Sequence, residues 1–239
     1  MTNTTENQIG PRIIVALDFP EEQAAMAMVQ QLDPSMCRLK VGKELFVRSG
    51  PQLVEKIQKL GFDVFLDLKF YDIPNTVAGA CRAAADLGVW MVNVHASGGH
   101  KMMEAAREAV TNSSHQPYLI AVTILTSMTS HDLSELGFDL TPMEEVQRLA
   151  AIAGECGMDG VVCSPMEAKI LTQQMGKEFK LVTPGVRPEG SDRGDQNRVM
   201  TPIQALQAGS DFLVIGRPVT AVEDPIKSLE NIISSIRNV

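Results

Sequence analysis

Asp67, Lys69 and Asp72 fall at the end of an apolar run, Val64-Phe65-Leu66, within the string Asp67-Leu68-Lys69-Phe70-Tyr71-Asp72-Ile73-Pro74-Asn75-Thr76. Alternate side chains of a strand point the same way, so Asp67 and Lys69 share one face. Asp72 follows in the turn, and Pro74 opens a helix, where its missing N–H costs nothing. Charges set beside a core destabilise it unless they are paired. Two carboxylates flanking an ammonium can be a solvated ion-pair cluster on a rim. They can also keep a lysine protonated and poised to act as an acid.

The elements that must position these residues repeat along the chain as a short branched or apolar run, a loop and a helix. The strands are read at Ile13–Leu17, Arg38–Val41, Val64–Leu68, Trp90–Val94, Leu119–Leu125, Gly160–Cys163, Lys180–Thr183 and Phe212–Ile215. Each is nearly continuous in hydrophobicity, as strands covered on both faces should be. Helix starts are marked by Thr141-Pro142-Met143-Glu144 and Thr201-Pro202-Ile203-Gln204, both capping boxes with proline at the first helical position. Asp224-Pro225 starts a last helix, amphipathic through Ile226, Leu229, Ile232, Ile233 and Ile236. Gly61, Gly88, Gly157 and Gly209 fall where a left-handed helix cap is wanted. Eight such units in 239 residues predict an α/β fold, a single (β/α)8 TIM barrel, with a doubly wound open sheet as the alternative. The barrel domain takes in residues 1–239, with 1–11 as a flexible N-terminal extension.

A barrel places its working residues at strand C-termini and in the loops that follow. Asp18 closes the first strand, Lys40 lies in the second, and Asp67 with Lys69 ends the third. Thr126 and Ser127 follow the fifth strand, Arg187 the seventh, and Gly216-Arg217 the eighth. Singly, each has a bland explanation: Asp18 as a helix cap, Lys40 as a rim lysine, Thr126 as a loop hydroxyl. Their coincidence on one face points to a site. The segment Thr183–Arg198 is long, polar and punctuated by glycine, and loops of that length in compact domains are usually functional or disordered. With Gly216-Arg217-Pro218 it reads as a phosphate-binding element with a closing lid.

Composition narrows the partners. Hydrophobic content of 44% with 21% charged residues is that of an ordinary soluble globular protein. A formal net charge of −8 argues against a nucleic-acid or acidic-membrane surface, yet leaves room for an anionic ligand in a locally cationic cleft. Met1–Gly10 is polar without a signal pattern, and no apolar run approaches the roughly 20 residues of a membrane span. Cys37, Cys81, Cys156 and Cys163 show no CxxC spacing and read as buried thiols of a reducing cytoplasm. His95, His100, His115 and His131 form no zinc-ligand pattern.

The chain resembles the orotidine 5′-phosphate decarboxylases of bacterial type. The resemblance runs from about Ile13 to the last helix. It rests on Val15-Ala16-Leu17-Asp18, Leu39-Lys40-Val41-Gly42 and above all Asp67-Leu68-Lys69-Phe70-Tyr71-Asp72-Ile73-Pro74-Asn75-Thr76. Val92-Asn93-Val94-His95-Ala96, Pro184-Gly185-Val186-Arg187-Pro188 and Val214-Ile215-Gly216-Arg217-Pro218 add to it. It implies decarboxylation of orotidine 5′-monophosphate to uridine 5′-monophosphate, the last step of de novo pyrimidine synthesis, by a cytoplasmic homodimer with shared sites. It also implies no metal and no organic cofactor. Carried over, Asp67 lies beside the substrate carboxylate, Lys69 delivers the proton, and Lys40 with the partner's Asp72 completes an alternating charge network. Asp18, Lys40 and the partner's Thr76 would hold ribose hydroxyls, and Thr126 would lie by the pyrimidine. Gln196, Gly216 and Arg217 would bind phosphate, with Arg187 anchoring the lid. Sugar-phosphate decarboxylases of the same suprafamily stabilise an enediolate with Mg²⁺ and need a carboxylate where this chain has Lys40. A phosphate-ligand binding protein on a degenerate barrel is the non-enzymatic alternative.

Overall fold

The computed structural model describes residues 10–188 and 200–237. Its strands are β1 Ile13–Ala16, β2 Arg38–Gly42, β3 Val64–Phe70, β4 Met91–His95, β5 Tyr118–Val122, β6 Gly160–Val162, β7 Lys180–Thr183 and β8 Phe212–Ile215. Each pairs in parallel with the next, and β8 returns to β1, closing the sheet in chain order. Helices connect successive strands, so the fold is the (β/α)8 TIM barrel and not the open sheet. Among the described residues no helix is long and apolar enough to cross a membrane.

The strands read as unbroken apolar runs because both their faces are buried. Ile13, Val15, Leu39, Val41, Val64 and Leu66 pack outward against the helices. Ile14, Ala16, Phe65, Met91, Ile120, Val182, Phe212 and Val214 fill the interior. At the N-terminal end of the strands Trp90 sits edge-on to Phe212, ring centres 5.1 Å apart, and to Tyr118 at 5.8 Å. The Arg38 guanidinium lies 4.1 Å from the Trp90 ring centre and pairs with Asp63 at 3.0 Å. This stack closes the barrel floor, where a desolvated cation over an aromatic face is stabilising. Arg38 also donates to the Pro11 carbonyl. The expected flexible extension over 1–11 is therefore tied down at Pro11, and residues 1–9 lie outside the described residues.

Helix ends follow their sequence signals. Thr141 with Glu144 and Thr201 with Gln204 form complete capping boxes, and the Asp224 carboxylate caps the last helix, Pro225–Ile236. Leu229 and Ile232 of that helix are buried, but Ile226 is left exposed. A third capping box, Thr129 with Asp132, opens the helix Ser130–Glu135 close behind β5. That strand stops at Val122 instead of reaching Leu125. The Thr123 N–H and hydroxyl both go to the Val162 carbonyl, which ends the ladder, and the chain then turns. The third strand runs on to Phe70, two residues beyond expectation, through an irregularity that matters for the site.

One tight approach limits the sequence of the barrel wall. Gly160 pairs with Lys180 between β6 and β7, and a Cβ there would stand 2.0 Å from the Lys180 carbonyl oxygen. Backbone on both sides leaves little room for relief. Gly160→Ala is expected to cost roughly 3 kcal/mol, or about 6–12 °C in melting temperature. An unchanged melting temperature would contradict this packing.

Candidate active site

At the C-terminal ends of the strands the barrel opens into a cavity of about 600 Å³. Its floor is apolar, from Phe65, Val122, Ile124, Val162 and Val214, and its walls carry Asp18, Lys40, Asp67, Lys69, Thr126, Ser127, Arg187, Gly216 and Arg217. Nine of the residues singled out in the sequence therefore converge on one hollow, from β1, β2, β3, β5, β7 and β8. A hollow of about 700 Å³ beside the last helix shares Arg217 but is otherwise lined mainly by apolar and hydroxyl side chains. Among the described residues it holds no second charged group, and the charged cavity at the strand ends is the candidate site.

Asp18, in the loop after β1, and side chains of β2 and β3 build a row of alternating charge. Asp18 Oδ1 lies 3.1 Å from Lys40 Nζ, which lies 3.4 Å from Asp67 Oδ2. Asp67 Oδ1 accepts from Lys69 Nζ at 2.6 Å and from Asn93 Nδ2 at 2.7 Å. The middle of the row is dry, with the Lys40 and Asp67 side chains each 11% exposed, whereas Asp18 is 67% exposed. Burial would push the Lys40 ammonium down, but Asp67 and Asp18 outweigh it and hold it above the ordinary lysine range. Burial would likewise raise Asp67. Lys40 and Lys69, with hydrogen bonds from Lys69 and Asn93, instead hold it below the ordinary carboxylate range. Removing Asp67 from this row would leave Lys69 without its carboxylate and Lys40 with only the exposed Asp18.

Asp67 and Lys69 do share a face, but simple strand alternation is not what brings them there. Lys69 has φ 53°, the one non-glycine residue at positive φ among the described residues. A left-handed lysine costs on the order of 1–2 kcal/mol. The Lys69 N–H is met by Asn93 Oδ1 at 2.7 Å. Asn93 is fully buried and interrupts the apolar strand Met91-Val92-Asn93-Val94. A lone carboxamide in such a run was the available signal, and sequence reasoning gave it no role. Beside it, His95 is half-buried, its ring 5.6 Å from that of Tyr71. Burial first, then Lys43 and Lys69, keeps its imidazole below the ordinary histidine range against the pull of Asp67.

Asp72 and Thr76 stand apart from the cavity. Within one chain Asp72 does not flank Lys69. The turn carries it out to solvent, where its carboxylate accepts from the Ile73 N–H at 2.6 Å. Thr76 is exposed in the first turn of the helix Pro74–Asp86. Asp72 is flanked by Tyr71, 62% exposed, and Ile73, 68% exposed, an unusual amount of exposed apolar surface.

Beyond β7 and β8 Arg187 and Arg217 line the cavity together. The backbone N–H of Arg187 donates to the Met200 carbonyl at 2.9 Å, and Val186 bridges Met200, so this arginine sits on a pinned base. Gln196 and the rest of the glycine-punctuated loop over 189–199 lie outside the described residues. The cavity thus has two poles, one a row of alternating charge and the other a pair of guanidiniums suited to a phosphate. Among the described residues no group of three or more His, Cys, Asp or Glu side chains is placed to ligate a metal ion.

Residues 11–232 match the model of the Orotidine 5′-phosphate decarboxylase / HUMPS family. The orotidine 5′-phosphate decarboxylase of Saccharophagus degradans is 60% identical over 222 residues, 93% of each chain. That of Hydrogenovibrio crunogenus is 60% identical over 229 residues, covering 96% of this chain and 97% of the relative. The crystal structure of orotidine 5′-phosphate decarboxylase from Lactobacillus acidophilus superposes with a TM-score of 0.85 at 38% identity, over 96% of this chain and all of that one.

Proposed function

This chain belongs to the Orotidine 5′-phosphate decarboxylase / HUMPS family, and we propose that it converts orotidine 5′-monophosphate to uridine 5′-monophosphate and CO2, closing de novo pyrimidine nucleotide synthesis in the cytoplasm. The observation that carries this reading is the row Asp18–Lys40–Asp67–Lys69. A metal-dependent sugar-phosphate relative needs a carboxylate where Lys40 stands, and a buried ammonium there opposes a second cation. The same ammonium suits a reaction that needs placed charge and no electron sink.

The chemical problem is to break the bond from C6 to the carboxylate, leaving the electron pair in an sp² orbital outside the ring's π system. With no pyridoxal-like sink, the protein lowers the barrier, by on the order of 20 kcal/mol, through preorganised charge. The Lys69 ammonium, fixed to Asp67 at 2.6 Å, faces the developing carbanion. As CO2 departs, an Nζ–H proton of Lys69 passes to C6, and the neutral amine recovers a proton from solvent. The apolar floor takes the pyrimidine face, with Thr126 and Ser127 at its edge. Asp18 and Lys40 take ribose hydroxyls, while Arg187, Gly216 and Arg217, with Gln196, take the phosphate. Binding energy gathered at the phosphate pole can thereby be expressed at the reacting carbon.

We propose further that the enzyme is a homodimer in which the partner's Asp72 and the partner's Thr76 complete each site. The exposed Asp72, Tyr71, Ile73 and Thr76 at the mouth of one chain support it, since a carboxylate reaching across a two-fold axis could meet Lys69 from the other side.

Purified protein is expected to decarboxylate orotidine 5′-monophosphate at an unchanged rate in EDTA. Activity abolished by the chelator and restored by Mg²⁺ would overturn the metal-free mechanism. Lys69→Ala should lower kcat by roughly 10⁴-fold or more while uridine 5′-monophosphate still binds, because both the proton and the facing cation are lost. Near-normal turnover in that variant would remove Lys69 from the chemistry. Arg217→Ala should act chiefly on KM, since a phosphate contact exists before the transition state as well as in it.

The dimer is checked by mixing Lys69→Ala with Asp72→Ala and allowing subunits to exchange. Each mixed dimer would carry one doubly defective site and one intact site. Half of the dimers are mixed at random, so roughly a quarter of wild-type sites should return. No recovery after exchange is demonstrated would reject shared sites and leave the decarboxylase reading in place.

A further inference from the structure

β3 and β4 are in register at Leu66 with Val92 and again at Phe70 with Val94. Between these two points β3 must accommodate Asp67, Leu68 and Lys69 where β4 supplies only Asn93. The surplus length is a bulge, and a bulge breaks the ladder and re-aims the side chains it carries. It leaves two needs beside a dry cavity. The Lys69 N–H needs an acceptor, since buried backbone donors are rarely left alone. Oδ1 of the ionised Asp67 needs donors from more than one direction.

One side chain meets both needs. Asn93 Oδ1 accepts from the Lys69 N–H at 2.7 Å, and Asn93 Nδ2 donates to Asp67 Oδ1 at 2.7 Å. The partners themselves fix which way the amide points: an N–H can only face the oxygen, and a carboxylate oxygen can only face the NH2. Asn93 is fully buried, so water cannot stand in for either bond. Lys69 meanwhile holds a left-handed backbone that lysine adopts only where its surroundings require it.

We propose that Asn93 is a positioning residue of the reaction, its carboxamide clamping the left-handed backbone of Lys69 and the carboxylate of Asp67 into one rigid unit. It does not touch substrate. It acts by setting where the Lys69 ammonium stands relative to Asp67 and therefore relative to C6. This inference rests on the decarboxylase reading. The competing account is that Asn93 only fills the bulge and stabilises the fold.

Two variants separate these accounts. Asn93→Ala removes both bonds and should lower kcat by about 10²-fold, the cost of a displacement near 1 Å in a reacting group. Affinity for uridine 5′-monophosphate should stay within about threefold, because the phosphate and ribose contacts lie elsewhere. Asn93→Asp keeps the shape of the side chain, so it also serves if the alanine variant does not fold. Its carboxylate can still accept from the Lys69 N–H, but it turns a negative oxygen on Asp67. The charged and titratable groups around it are Asp67 and Lys69 on β3, Lys40 on β2 through Asp67, and His95 with Lys43 at the same rim. Two carboxylates at that separation share a proton once the pH is low enough. The protonated aspartic acid then donates to Asp67 and accepts from Lys69 as the asparagine does.

The ratio of Asn93→Asp to wild-type kcat should therefore climb as pH falls, whereas the ratio for Asn93→Ala should stay flat. Wild-type turnover of orotidine 5′-monophosphate is measured alongside. Its absence would overturn the decarboxylase reading and this inference with it. With the wild type active, unchanged kcat in a folded Asn93→Ala, or a pH-independent ratio for Asn93→Asp, would overturn the positioning role alone.

Discussion

Everything at the candidate site depends on one buried carboxylate. Asp67 stands at the end of an apolar strand, where an unpaired charge would be intolerable, and it is satisfied from three directions by Lys40, Lys69 and Asn93. Those partners come from β2, β3 and β4, so the set exists only when three neighbouring strands are in register. The closed barrel supplies that register, and the aromatic stack beneath Arg38 seals its opposite end. The placement is stabilised as a whole, since each ammonium is held by the carboxylate that it holds in turn. A site of this kind has its charges in position before substrate arrives, which is where preorganised electrostatics does most for a transition state.

In the proposed function the two poles of the cavity would divide the labour of a nucleotide-binding site. The net charge of −8 makes the protein anionic as a whole, yet Arg187 and Arg217 gather positive charge at one wall. A dianionic phosphate would be drawn to that wall and turned so that the far end of the ligand meets the charge row. The apolar floor, Phe65, Val122, Ile124, Val162 and Val214, would exclude water from beneath a flat ring. Low polarity there would make the Lys69 and Asp67 charges count for more at the reacting carbon of the proposed substrate than they would in water.

Much of this was legible in the chain because the signals are local. Doubly buried strands announce themselves as short apolar runs, and capping boxes at Thr141 and Thr201 mark helix starts within a residue. The end-of-strand polar residues Asp18, Lys40, Asp67, Thr126, Arg187 and Arg217 could be gathered on one face once eight strands were counted. What sequence did not show is non-local. The bulge in β3 arises from a mismatch in length against β4, and only the paired strands reveal that Asn93 faces three residues. A spacing of three would also let Asp72 flank Lys69 within one chain, and it does not, because the turn carries Asp72 outward. The early end of β5 depends on Thr123 bonding to Val162 of β6, another contact that no local pattern signals.

The central claim is that Lys69, anchored on Asp67, stabilises and protonates a carbanion at C6. That carbanion is the same species reached in reverse from the product, so it can be examined without any loss of CO2. The measurement is exchange of the C6 hydrogen of uridine 5′-monophosphate with solvent deuterium, followed by NMR with saturating protein in D2O. The account predicts that the wild-type protein catalyses this exchange and that Lys69→Ala, still saturated with the nucleotide, does not. Exchange at equal rates in the two proteins would contradict it, because the ammonium held by Asp67 would then play no part in meeting the charge on carbon.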